Sequence, residues 1–117
     1  MDTRDRNTLL NENQKLLERI LTERVRVPFS YGDITLNTVF DNENDHYLVL
    51  MVGWDGFKRI HGPLIHVDLR GDKFWIEYDG TEDGVATDLL DAGIPKDRIV
   101  LAFQPPSRRK YSEFAMA

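Results

Sequence analysis

The sequence predicts an α+β domain. Two observations carry this prediction. The N-terminal segment has apolar residues at helical spacing, whereas residues 31–78 alternate with the period of two that is typical of strands. A second helical pattern, a short apolar run and a basic tail follow. The predicted order is therefore an N-terminal helix, a four-stranded antiparallel meander, a second helix, a short fifth strand and a C-terminal tail.

Length and composition narrow the class of protein. The chain of 117 residues has the commonest size for one domain, so we expect a single domain over residues 1–117. It has no cysteine, which excludes a disulfide scaffold, a cysteine-ligated metal centre and a thiol nucleophile. No apolar run approaches the roughly 20 residues that a membrane helix needs, so we expect a cytoplasmic protein without membrane contact. The formal net charge of −5 argues against general DNA binding by the chain alone.

The first helix is predicted over residues 7–26. Leucine and isoleucine recur there at helical spacing, and charged residues fill the opposite side. Pro28 is expected to end the helix, because the residue before a proline is disfavoured in the α conformation. We expect the apolar stripe to pack on the sheet, since the pattern is too short for a coiled coil.

Four strands are expected between residues 31 and 78. The second of them, residues 46–54, is apolar on both faces, as in an interior strand. Asp55-Gly56 predicts the hairpin turn that follows. Gly62-Pro63 predicts a bulge or bend in the long third strand, because proline cannot donate to the ladder of hydrogen bonds.

The third and fourth strands can be paired residue by residue from a two-residue turn at Gly71-Asp72. The apolar pairs on one face are then Leu69 with Phe74, Val67 with Ile76, and Ile65 with Tyr78. The same register places His66 opposite Glu77, and Asp68 opposite Trp75, on the polar face. A slip of one residue would mix the two faces, so the pattern itself supports this register.

The C-terminal third predicts a helix, a strand and a tail. Thr81 is expected to cap the second helix, which ends before Gly93 and Pro95. The apolar run at residues 98–103 predicts the fifth strand. A tail beginning at Pro105 ends the chain.

The polar face of the predicted hairpin is the candidate partner-binding site. It carries the charged or ionisable residues His66, Asp68, Glu77 and Asp79 beside the large aromatic Trp75. An aromatic residue on an otherwise charged face often marks a contact surface, so a protein interface is the preferred interpretation. The plainer alternative is the solvent-facing side of an antiparallel sheet, which is normally polar.

The sequence is also compatible with two other functions. His66, Asp68 and Glu77 could bind a divalent metal or form an acid–base pair, as in a metal-dependent nuclease or hydrolase. The basic residues Arg108, Arg109 and Lys110 precede aromatic residues and could contact nucleic acid. The sequence contains no P-loop, dinucleotide-binding fingerprint or nucleophile elbow. We therefore assign no catalytic residue, no metal ligand and no cofactor.

Four segments of the chain carry a resemblance to a known family. They are residues 59–68 (RIHGPLIHVD), 73–84 (KFWIEYDGTEDG), 92–103 (AGIPKDRIVLAF) and 109–115 (RKYSEFA). Together they resemble the XisI family, mostly cyanobacterial proteins called fdxN element excision controlling factors. The resemblance extends over nearly the whole chain.

The resemblance implies an accessory role, without enzymatic activity, in the excision of a DNA element by a site-specific recombinase. It also implies a protein partner, namely the XisH-like protein that usually accompanies these factors, and indirectly the recombinase. The family has no established catalytic residues to carry over to this chain. The polar sheet face could equally pair two copies of the chain in a homo-oligomer.

Overall fold

The elements follow one another in the predicted α+β order. The structure is a computed structural model that describes residues 6–26 and 33–117. The helices and strands are α1 Arg6–Arg26, β1 Asp33–Asp41, β2 His46–Asp55, β3 Lys58–Arg70, β4 Lys73–Asp79, α2 Val85–Asp91, β5 Ile99–Leu101 and α3 Pro106–Arg109. The predicted helix end at Pro28 and strand start at Tyr31 lie outside the described residues. Within the described ranges, no helix is long and apolar enough to cross a membrane.

The five strands of the described residues form one sheet in the order β1-β2-β3-β4-β5. The first four strands pair antiparallel, and β5 pairs parallel to β4, with Ile99 opposite Phe74. A parallel pair needs a crossover connection, and the segment containing α2 supplies it. β5 is shorter than the predicted run 98–103, because Lys96–Arg98 forms a 3₁₀ turn before it and residues 102–103 form a turn after it. β2 lies inside the sheet, as its two apolar faces predict.

The hydrophobic core lies on the sheet face that α1 and α2 cover, which we call the core face. Leu17, Ile20 and Leu21 of α1 are buried there together with Val85 and Leu89 of α2. The strands contribute the buried side chains Tyr47, Val49, Ile65, Val67, Leu69, Phe74, Ile76 and Ile99. The alternate residues of the strands point to the opposite side, the outer face.

An ion-pair network joins α1 to α2. Arg24 donates from Nε to Oδ2 of Asp88 at 2.7 Å and from Nη1 to Oδ1 of Asp83 at 2.9 Å. Its Nη2 donates to the carbonyl of Gly84 at 3.2 Å. Because three acceptors around the start of α2 bind one guanidinium, the network fixes the position of α2 beside α1.

The turn between β2 and β3 lies one residue later than predicted. Asp55 pairs with Lys58, so the two-residue loop is Gly56-Phe57 rather than Asp55-Gly56. Gly56 has a φ of 60°, whereas Phe57 has no positive φ. A positive φ at only the first loop residue is the requirement of a type II′ turn, in which glycine comes first.

The long strand β3 contains the bend that Gly62-Pro63 predicts. Val49 of β2 pairs with Ile65, but its neighbour Leu50 pairs with Pro63. Leu64 is therefore an extra residue in β3, which is the definition of a bulge.

The register between β3 and β4 is as predicted near the turn and differs beyond it. The pairs that agree are Arg70–Lys73, Leu69–Phe74, Asp68–Trp75 and Val67–Ile76. A bulge at Glu77 then shifts the register, so that His66 pairs with Tyr78 rather than with Glu77. The prediction that Tyr78 faces the core opposite Ile65 is also wrong, since Tyr78 is 47% exposed.

The second helix begins later than predicted. α2 starts at Val85 with Gly84 as its N-cap residue, so the prediction that Thr81 caps it is wrong. The carboxylate of Asp79 accepts hydrogen bonds from the backbone N–H groups of Val85 at 2.6 Å and Thr81 at 2.9 Å. The Thr81 hydroxyl in turn accepts from the Gly84 N–H at 3.2 Å. Asp79 and Thr81 thus stabilise the turn that leads into the helix.

We predict that Gly53→Ala destabilises the sheet by about 2 kcal/mol or more. A Cβ at Gly53 would lie 1.9 Å from the carbonyl oxygen of Asp33, so β1 and β2 would have to separate. Gly62→Ala in β3 is the matched control, because a Cβ there meets no atom within 4 Å. Urea denaturation measures both, and equal midpoints for the two variants would contradict the close approach.

Candidate functional site

Three polar side chains meet on the outer face where β2 begins. His46 pairs directly with Asp68 of β3, and His66 lies two residues before Asp68 on the same face. Nδ1 of His46 and Nε2 of His66 each lie 2.7 Å from Oδ1 of Asp68. Because a carboxylate only accepts hydrogen bonds, each of the two ring nitrogens donates to it. One carboxylate oxygen thereby orients two imidazoles.

Burial distinguishes Asp68 from its two partners. Its side chain is only 9% exposed, whereas the side chains of His46 and His66 are 48% and 29% exposed. The hydrogen bond to Asp68 raises the pKa of His46 above its ordinary value, and the charge of Asp68 acts in the same direction. The nearby carboxylates of Asp41 and Asp45 add to this effect. The site is therefore a buried anion beneath two accessible imidazoles.

We predict that Asp68→Asn lowers the pKa of His46 in the metal-free chain, because an amide stabilises an imidazolium less than a carboxylate does. A raised pKa in the folded state means that this pair adds stability below the unfolded-state pKa of about 6.5. That stability is lost as the pH rises through the folded-state pKa of His46. NMR titration of the ring protons with a chelator present measures the shift. A His46 pKa that Asp68→Asn leaves unchanged would contradict the hydrogen bond.

The side chains of two arginines stack on the ring of Trp75. The sequence predicts this tryptophan as part of an exposed contact surface. The guanidinium carbon of Arg70 is 4.5 Å from the ring centroid, and that of Arg109 is 5.6 Å from it. Arg109 also donates to the carbonyl oxygens of Gln104 at 2.9 Å and Ala102 at 3.1 Å. The half-buried indole thus helps to hold the C-terminal tail against the outer face.

Glu77 and Asp79 do not join His66 and Asp68. Glu77 is the bulged residue of β4, and its Oε1 lies 3.3 Å from Nη2 of Arg70. Asp79 accepts hydrogen bonds in the turn before α2. Of the five residues predicted for partner binding, His66, Asp68 and Trp75 share the outer face. The predicted metal or acid–base set of His66, Asp68 and Glu77 is not assembled.

His46 is the member of this polar cluster that the sequence did not predict. Among the described residues, the one group of possible metal ligands comprises His46, His66 and Asp68, whose ligand atoms all lie within 4.8 Å of one another. The only signal was a histidine at the start of a predicted strand. Its position opposite Asp68 depends on the register of β2 against β3, which includes the bulge at Leu64.

The basic cluster of the tail is divided between two environments. Arg109 is engaged with Trp75 and with backbone carbonyls, whereas Arg108 and Lys110 are exposed. The ammonium of Lys110 lies 5.1 Å from the ring centroid of Tyr111, which is 82% exposed. Only Arg108 and Lys110 of the three predicted residues therefore remain accessible for nucleic-acid contact.

An apolar strip along β2 is a second surface feature. The residues that β2 presents on the outer face are Leu48, Leu50, Val52 and Trp54, which we call the β2 strip. The first three are partly exposed, and Trp54 is 49% exposed under the guanidinium of Arg59. Phe57 at the hairpin tip is fully exposed. The apolar pattern of β2 predicted an interior strand, but not that, in the part of the chain that the structure describes, no helix covers one of its faces.

We predict that Trp75→Ala lowers the free energy of unfolding by about 1–3 kcal/mol and loosens the tail. The substitution removes the ring on which Arg70 and Arg109 stack. Tyr111→Ala is the matched control in the exposed part of the tail and should change stability by less than about 0.5 kcal/mol. Faster exchange of the Ala115 amide, which donates to the Ile99 carbonyl, would report the loosening.

Comparisons with known proteins agree with this architecture, an α+β domain with two helices on one face of a five-stranded sheet. The XisI protein family model matches residues 7–116. The crystal structure of a XisI-like protein from Anabaena variabilis is similar, with 32% identity, a TM-score of 0.84, and coverage of 92% of this chain and 99% of that chain.

A second similar structure is the fdxN element excision controlling factor XisI from Anabaena variabilis. It is 33% identical, with a TM-score of 0.79 and coverage of 93% of this chain and 99% of that chain. No curated protein matches the sequence. The family model and both structures cover most of the chain, so the chain belongs to the XisI family. This confirms the resemblance and the α+β fold that the sequence predicts.

Proposed function

We propose that this protein is a non-enzymatic controlling factor for the excision of a DNA element by site-specific recombination. The observation that carries the proposal is the likeness to the fdxN element excision controlling factor XisI, which extends over 99% of that chain. A shared fold does not by itself define an activity. The surface of this chain must therefore supply the mode of action.

The mode of action that we propose is binding of a protein partner, an XisH-like protein, through the outer face of the sheet. The β2 strip supports this, because a row of uncovered apolar side chains on a regular sheet face favours a protein contact. Val39 of β1 pairs with Leu48 and is 43% exposed, so it widens the apolar surface. Phe57 extends the surface to the hairpin tip.

Charge supports a partner that handles DNA. The chain has a formal net charge of −5, which attracts proteins with a basic surface and increases the rate of encounter. A negative protein and negative DNA would compete for the same basic surface. The net negative charge of this chain is therefore consistent with a controlling factor that binds the basic surface of its partner and so excludes DNA from it.

The charged residues of the cleft between α1 and α2 serve the fold rather than catalysis. Its charged residues Arg24, Asp83 and Asp88 bind one another, and Arg19, Glu23 and Asp91 surround them. The hydrogen bond from Arg24 lowers the pKa of Asp83. Groups that satisfy one another in this way stabilise the fold and are not poised for proton transfer.

We predict that Leu50→Glu weakens binding to a co-expressed XisH-like protein by at least about 10-fold, because it places an unpaired charge in the centre of an apolar contact. Asn11→Glu on the exposed side of α1 is the matched control, since it adds the same charge far from the β2 strip. Co-purification followed by calorimetric titration of wild type and both variants measures the effect. Circular dichroism verifies that each variant folds.

Two outcomes would contradict the proposal. If the wild-type chain forms no complex with the XisH-like protein, the partner is wrong. If Leu50→Glu and Asn11→Glu weaken the complex equally, the outer face is not the interface. Gel filtration of the chain alone tests the alternative in which the β2 strip pairs two copies, since Leu50→Glu would then convert a dimer into a monomer.

A further inference from the structure

We propose that His46, His66 and Asp68 form a binding site for one divalent transition-metal ion such as Zn²⁺. The inference goes beyond the proposed role in excision control and does not depend on it. It rests on the donor set, the geometry and the accessibility of the three side chains on the outer face.

The donor set is two imidazole nitrogens and one carboxylate oxygen. Imidazole suits Zn²⁺, Fe²⁺, Co²⁺ and Ni²⁺, and a carboxylate completes many such sites. Mg²⁺ and Ca²⁺ are disfavoured, because they take oxygen ligands. The chemistry of the three side chains therefore selects a first-row transition ion over the common hard cations.

The ligand atoms are close to the positions that such an ion requires. Nδ1 of His46 and Nε2 of His66 are each 2.7 Å from Oδ1 of Asp68, and all three atoms lie within 4.8 Å of one another. Tetrahedral coordination at about 2.0–2.1 Å places neighbouring ligand atoms about 3.3 Å apart. An ion would therefore enter after the two nitrogen–oxygen contacts widen by about 0.6 Å.

The three side chains are positioned by regular structure rather than by loops. His46 and Asp68 are directly paired residues of adjacent strands, and His66 is on the same strand as Asp68. Asp68 is 7% exposed and its Oδ1 already faces both rings, so little side-chain freedom remains to be lost on binding. The backbone thus brings the three side chains together before an ion arrives.

Accessibility and charge favour entry of a cation. The imidazoles of His46 and His66 are 48% and 29% exposed, so an ion can approach from the solvent side. The carboxylates of Asp41 and Asp45 lie close enough to act on His46. Three protein ligands leave a fourth tetrahedral position for water or for a donor from a partner.

Binding requires a change of tautomer at both histidines. In the metal-free chain the two facing nitrogens carry the protons that they donate to Asp68. An ion needs the lone pairs of these nitrogens, so each neutral ring must carry its proton on the other nitrogen. The exchange passes through solvent and leaves the charge of each neutral ring unchanged.

The test is calorimetric titration of ZnCl₂ into the full chain, after removal of any affinity tag and dialysis against a chelator. We expect one ion per chain. We also expect His46→Gln to lower the affinity by at least about 100-fold, since removing a metal ligand weakens binding no less than removing a residue that hydrogen-bonds to a ligand. His61→Gln is the matched control. His61 is the third histidine of the chain, is exposed on β3 and lies outside the group of ligands.

Thermal unfolding with and without ZnCl₂ provides a second readout, because an ion that binds only the folded chain raises its Tm. We expect the increase in wild type and in His61→Gln, and its absence in His46→Gln. The absence of both a heat of binding and an increase in Tm with up to about 1 mM ZnCl₂ would overturn the proposal. Equal losses in His46→Gln and His61→Gln would also overturn it, since that pattern indicates adventitious surface binding. Neither result would affect the binding of an XisH-like protein.

Discussion

The helices α1 and α2 cover only one face of the sheet, and the rest of the structure depends on this constraint. Side chains of the strands alternate between the two faces. The strand residues that are buried beneath the helices are therefore apolar, as Val67, Phe74 and Ile76 are. The outer face carries no such requirement. It accommodates the polar cluster of His46, His66 and Asp68, and no helix within residues 6–26 and 33–117 lies over the β2 strip.

A buried carboxylate on that outer face needs compensation. Removing Asp68 from water is unfavourable unless hydrogen bonds replace those of the solvent. Two imidazoles replace them, one from the neighbouring strand and one from its own strand. The same arrangement ties the start of β2 to β3 and holds both rings in place. Structural stabilisation and preorganisation for a ligand are thus consequences of one set of hydrogen bonds.

Two arginines stabilise the fold by joining segments that the apolar core alone does not position. Arg24 binds the carboxylates and the carbonyl at the start of α2. Arg109 stacks on Trp75 and binds carbonyls of its own tail. A guanidinium suits both roles, because it has five donors in a fixed plane and can stack on an aromatic ring. For this reason a run of basic residues in the sequence is weak evidence for nucleic-acid binding.

The sequence alone determined the features that depend on local periodicity and turn chemistry. α1, the Gly71-Asp72 turn and the four pairs next to it are as predicted, since each follows from spacing within a few residues. The position of His66 and Asp68 on one face was predicted for the same reason. The tertiary structure alone decided where bulges reset the register, and hence that His46 joins the site while Glu77 does not. It also decided that Trp75 is covered. These outcomes depend on contacts between segments far apart in the chain, and no local pattern encodes such a register.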